Sequence, residues 1–122
     1  AEVAGLRVLS EPDEAHIRAA RELAASCGIA VVATLATNVQ PSQARLVEAV
    51  LETGTPTVTV AMRTPYDLAD YPRSATHLCS YSIVPASAVA VADALFGRAP
   101  INGRLPVDIP GLYPRGHGLE VN

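Results

Sequence analysis

The chain has 122 residues, 49% hydrophobic and 17% charged, with a formal net charge of −3. That length suits one domain, the composition is too apolar for disorder, and no apolar run approaches the ~20 residues that cross a bilayer. All nine basic residues are arginines, scattered from Arg7 to Arg115 instead of forming a stripe, which argues against a nucleic-acid partner.

Residues 1–122 are therefore read as a single domain without a membrane span. Residues 1–10 carry no basic flank ahead of a long apolar stretch, so no signal peptide is expected within them. The compartment, cytoplasmic or secreted, stays open.

The first element in chain order is a short strand over residues 5–9. Ser10-Glu11-Pro12-Asp13 then matches a capping-box start, and Ile17, Ala20, Leu23, Ala24 and Cys27 recur at helical spacing until Gly28. Residues 29–34 form a continuous, valine-rich apolar run, the pattern of a strand buried on both faces and central in a parallel sheet. After the polar turn at residues 37–41, Leu46, Val47, Val50 and Leu51 mark a second helix, which Gly54 terminates. Alternating threonine and valine over residues 56–62 predicts a second strand. A turn of helix at residues 66–71, a strand over 76–81 and an apolar helix over 86–96 follow, the last opened by Pro85 and closed by Gly97. In the segment 104–110, Leu105, Val107 and Ile109 alternate inward while Arg104 and Asp108 face water. Pro106 and Pro110 place it at the margin of the sheet or over its end, with a ligand-binding loop as the alternative.

Strand and helix alternate, so the fold class is α/β. Right-handed crossovers with helices on both faces give a three-layer αβα sandwich with a mostly parallel sheet. In such sheets ligands sit beyond the carboxyl ends of the strands. The loops there place Asn38, Arg63 and Tyr81 as candidate substrate-binding residues.

Catalytic and cofactor patterns are missing. There is no Gly-x-Ser-x-Gly elbow, no Gly-x-Gly-x-x-Gly and no phosphate loop, which a lysine-free chain cannot supply. Two distant cysteines, read as small buried hydrophobes, and three separated histidines lack zinc spacing, so neither a metal nor a cofactor is expected. His16 and His77 fall in helix and strand patterns. His117 lies between two glycines, near enough to Asp108 to raise an acid/base pair as a minor alternative. The carboxylates, Asp67 and Asp70 included, suit helix starts, polar faces and turns.

The run from Leu95 through Gly97, Pro100-Ile101-Asn102-Gly103-Arg104-Leu105-Pro106-Val107-Asp108-Ile109-Pro110 and on to Leu119 resembles the C-terminal end of glycoside hydrolase family 3 enzymes. The likeness is to the bacterial beta-N-acetylhexosaminidases in particular. Ala61-Met62-Arg63-Thr64-Pro65-Tyr66-Asp67-Leu68 is the most specific internal match, and residues 53–58, Tyr81 and Pro85-Ala86-Ser87 extend the resemblance over residues 29–119. It implies a copy, in part incomplete, of the C-terminal α/β domain. In this family the aspartate nucleophile stands on an N-terminal barrel, and in the hexosaminidase branch an Asp-His acid/base pair does too. The barrel motif, a lysine-histidine pair followed by phenylalanine, proline and glycine, cannot occur in a lysine-free chain.

The resemblance thus implies an accessory domain, inactive alone, with no catalytic residue of its own. Its expected partners are the parent's catalytic barrel and a carbohydrate, the parent acting on beta-N-acetylglucosaminides. Two alternatives from other classes are an independent glycan or small-ligand module, disfavoured by the absence of tryptophan, and a homodimer formed through an exposed sheet edge.

Overall fold

The structure, a computed structural model, describes residues 3–8 and 11–120. The elements run α1 (Glu14–Ala25), β1 (Ala30–Thr34), α2 (Pro41–Leu51), β2 (Thr57–Ala61), a 3-10 helix (Pro65–Asp70), β3 (Thr76–Cys79) and α3 (Pro85–Leu95). The three strands form one parallel sheet in the order β1-β2-β3. The fold is α/β, a small and incomplete sandwich.

Helix α1 starts where its cap chemistry is complete. The Asp13 carboxylate accepts the His16 N–H at 2.9 Å, and His16 Nδ1 accepts the Asp13 N–H at 3.4 Å. That reciprocal pair satisfies two backbone donors which the first turn cannot use. The helix therefore begins later than the expected start at Ser10, which itself lies outside the described residues. Its backbone bond to His16 holds the Asp13 carboxyl below its ordinary range. Helix α2 opens on Pro41, whose missing N–H costs nothing at that position, and closes before Gly54 at φ 78°, a left-handed conformation that suits glycine.

Two clusters form the core. Ala20 and Ala24 of α1 meet Leu46 and Val50 of α2, with Val8, Ala30 and Val32 packed against them. Val47, on the next face of α2, meets Leu68 and Tyr71, and Val32 and Leu51 complete that cluster. Burying a leucine or valine this way stabilises by about 1.5–3 kcal/mol per side chain. Helices α1 and α2 thus cover one face of the sheet through Ala30 and Val32.

Strand β1 is not central. Among the described residues it pairs only with β2. Val31, on the face turned away from α1 and α2, is 53% exposed, and Ile29 ahead of it is exposed as well. A valine-rich run records an apolar strand, but which strand lies in the middle is set by the order of pairing, and β2 takes that place. Residues 5–8 of the expected first strand have no strand structure, and Leu9 lies outside the described residues. Cys27 and Cys79 are free thiols, half-buried.

The last quarter closes on itself instead of adding a strand. Leu105 and Ile109 are buried and Arg104 and Asp108 exposed, as the alternation predicts, while Val107, also expected inside, is only half-buried. The pairing, however, is local: Leu105 N–H donates to the His117 carbonyl at 2.8 Å, Gly116 N–H to the Leu105 carbonyl at 2.7 Å, and Ile109 bridges Tyr113. Gly118 lets this closure happen, because a Cβ there would collide with the Gly103 carbonyl oxygen. Helix α3 is the exception to all this packing. It is apolar except for Ser87 and Asp93, yet it buries none of its residues. No helix among the described residues is long and apolar enough to cross a membrane.

Candidate functional site

The three strands end at Thr34, Ala61 and Cys79, and parallel pairing brings those ends together. Asn38, Arg63 and Tyr81 stand on the loops that follow β1, β2 and β3 in turn, and all three are exposed. Hydrogen bonds lace the loops to one another. Met62 N–H donates to the Thr34 carbonyl at 3.0 Å, Ser80 N–H to the Ala61 carbonyl at 3.0 Å, and Ser80 Oγ to the Met62 carbonyl at 3.0 Å. Ala36 and Tyr81 have φ of 55° and 62°. Such left-handed non-glycine residues cost about 1 kcal/mol or more each, and they persist only where neighbours hold them.

Behind the exposed rim lies a buried polar network. Asp67 is 1% exposed, and its Oδ2 accepts the Thr34 hydroxyl at 2.6 Å. Its Oδ1 accepts the Thr37 N–H at 3.1 Å and, more weakly, the Thr64 hydroxyl at 3.5 Å. Thr34 Oγ1 also lies 2.8 Å from the Tyr71 phenol oxygen. Thr34 has one proton and gives it to Asp67, so the phenol donates to Thr34. Burial pushes the Tyr71 phenol well above its ordinary range, which keeps that proton in place. Two further bonds fix the first loop: Leu35 N–H to Gln43 Oε1 at 2.7 Å, and Thr37 Oγ1 to Asp70 Oδ2 at 2.6 Å.

A second pair, buried Thr59 with half-buried His77, flanks the network. His77 Nδ1 lies 2.7 Å from Thr59 Oγ1, its ring meets Tyr71 edge-on at 5.8 Å, and its enclosed Nε2 has no partner among the described residues. Burial lowers His77 to about 4, since an imidazolium there would be poorly solvated. Burial likewise pushes the Cys79 thiol up to about 11, so it is not a ready nucleophile.

This arrangement can position groups but is poorly suited to hydrolysis. A glycosidase needs two groups that flank the scissile bond, whereas Asp67 is sealed from solvent and engaged by three threonines. Asp108 and His117 do not form the alternative pair. Asp108 Oδ1 accepts the Arg115 N–H at 2.6 Å, and the His117 ring stacks on Tyr113 at 4.4 Å. Among the described residues no three His, Cys, Asp or Glu gather as a metal site would require. An apolar groove of about 450 Å³ runs between α1 and the outer edge of β1, lined by Leu6, Ala20, Leu23, Ala24 and Val31 among others.

The network escapes a reading by periodicity, which leaves Asp67 and Asp70 beside a turn. The one local signal is Thr34, a hydroxyl closing an otherwise valine and alanine strand.

A model of the glycosyl hydrolase family 3 C-terminal domain matches residues 12–116. The chain belongs to that family. Among solved structures it is similar to the chain described as "A unique GCN5-related glucosamine N-acetyltransferase region exist in the fungal multi-domain GH3 beta-N-acetylglucosaminidase". The TM-score is 0.74 at 24% identity, over 80% of this chain and 12% of that one. The shared feature is the fold, and this chain spans about an eighth of that larger protein. No curated protein matches the chain. Within the family 3 C-terminal domain, the matched residues include every strand, all three helices, and the loops that carry Asn38, Arg63 and Tyr81.

Proposed function

We propose that the chain is the accessory C-terminal domain of a family 3 glycosidase, inactive alone, which packs against the catalytic barrel and stabilises it. The observation that carries this reading is α3. A helix with only Ser87 and Asp93 as polar residues normally lies inside a protein, yet Val89 is 61% exposed and Phe96 just beyond it 61%. With Tyr81, Ile83 and Val84 exposed immediately before it, residues 81–96 present an apolar surface of the kind that marks an interface.

The parent's substrates are, in this reading, beta-N-acetylglucosaminides. The motif at residues 61–68 and the fold shared with a beta-N-acetylglucosaminidase chain support that choice. Asn38 and Arg63 would hydrogen-bond sugar hydroxyl or acetamide groups at the border of the cleft, and Tyr81 would offer a ring face. Barrel chemistry would do the rest.

Mixing the 122-residue chain with a purified family 3 barrel tests the interface. Calorimetry is expected to show saturable binding that Val89→Asp and Phe96→Asp abolish while leaving the far-ultraviolet circular dichroism of the chain unchanged. Binding indifferent to both substitutions would place the interface elsewhere.

A second reading has one observation in its favour. The outer edge of β1 has no strand partner among the described residues, and an unpaired edge can join a second copy of itself. Sedimentation at high concentration separates the two, since a monomer leaves the edge without that role.

A further inference from the structure

We propose that Asp67 is a positioning residue whose buried carboxylate staples the loop after β1 to the loop after β2, and so fixes Asn38 and Arg63 relative to each other for sugar contact. The sugar contact rests on the reading given above; the staple does not.

Asp67 belongs to the 3-10 helix that follows the β2 loop, and its closest bonds all go to another segment. Oδ2 accepts from Thr34, the last residue of β1, and Oδ1 accepts from the backbone of Thr37, one residue before Asn38. Thr64, one residue after Arg63, reaches the same Oδ1 from the other side. A single carboxylate thus stands between the immediate neighbours of the two exposed residues. Between its two β1-side donors lies Ala36 at φ 55°, a conformation an alanine keeps only under restraint, and bonds on both sides supply that restraint. The Thr37 hydroxyl adds a parallel tie to Asp70.

Stability alone does not account for this choice of residue. No ion pair reaches Asp67 among the described residues; all its donors are neutral. A buried carboxylate held this way bears a desolvation cost that an apolar side chain would avoid. What it provides in return is direction: two oxygens, one aimed at a donor that ends β1 and one at a donor on the loop after it. The Tyr71 phenol continues the chain through Thr34, so the staple is anchored in the core cluster of Val47, Leu68 and Tyr71.

The test compares Asp67→Asn with the parent enzyme by hydrogen exchange and by steady-state kinetics on a chromogenic N-acetylglucosaminide. Exchange at the Thr37 amide is expected to rise at least tenfold while β2 amides stay protected, and KM to rise several-fold with kcat unchanged. If Asp67→Asn does not fold, Thr34→Val removes one bond to the same carboxylate and carries the same readouts. Thr34→Ser, which keeps the hydroxyl, should behave as the parent does. Unchanged Thr37 exchange overturns the staple. Faster exchange with unchanged KM overturns the positioning role, and Asn38→Ala and Arg63→Ala then show which part failed: a raised KM in those variants keeps the sugar contact and rejects the staple's part in it, while an unchanged KM rejects the sugar contact itself.

Discussion

The strand ends and helix α3 use their residues in opposite ways. At the strand ends, polar groups are buried and satisfied: Thr34, Thr37 and Asp67 are each at most 2% exposed, and every one of them is hydrogen-bonded. In α3, apolar groups face water and nothing is buried. This contrast, a satisfied polar network beside an uncovered apolar helix, is what the proposed interface with a catalytic barrel rests on. The groups of the first region find their partners within the chain, whereas the apolar residues of the second find none among the described residues.

Truncations in the two regions should expose that difference most strongly. Leu68→Ala empties a site packed against Val47 and Tyr71 and is expected to cost about 3 kcal/mol in a urea titration. A loss as small as that of a surface variant would show that the second core cluster is not one.

Acid should act next, and on the same side of the molecule. His77 titrates at about 4, below its ordinary 6.5, chiefly because of burial, with Asp67 opposing the shift. The neutral ring's contribution is therefore complete above pH 6.5 and is lost as pH falls towards 4, because the unfolded chain takes up the proton first. Between pH 7 and pH 5 the expected loss is about 2 kcal/mol, and His77→Gln should flatten that part of the profile. An equal slope in the variant would assign the dependence to other groups.

The smallest effect belongs to α3. Val89→Ala, in the 122-residue chain alone, should change stability by less than about 0.5 kcal/mol, because Val89 is already exposed. A loss comparable to that of Leu68→Ala would mean that α3 packs on this chain after all, and would remove the main support for an external partner.

The fold was legible where local chemistry decides it. Gly54, Pro85 and Gly97 punctuate α2 and α3 as their backbone requirements dictate, and alternating threonine and valine mark β2, whereas Pro41, read as part of the turn at residues 37–41, is the first residue of α2. Strand β1 was legible as a strand but not as an edge, because a run such as Val31-Val32-Ala33 carries no record of how many neighbours it has. Of the polar network only Thr34, a hydroxyl closing an apolar strand, left a local signal. Thr34 bonds to Asp67 across 33 residues and to Tyr71 across 37, and no periodicity relates positions so far apart. Asn38, Arg63 and Tyr81 could be assigned to the loops after the strands by the rule for parallel sheets, since that rule needs only the ends of strands.

The central claim is that the chemistry lies outside these 122 residues, and the most direct test is hydrolysis of a chromogenic N-acetylglucosaminide by the purified chain. The account predicts no rate above the uncatalysed background. A clear rate that disappears on Asp108→Ala or His117→Ala would contradict it.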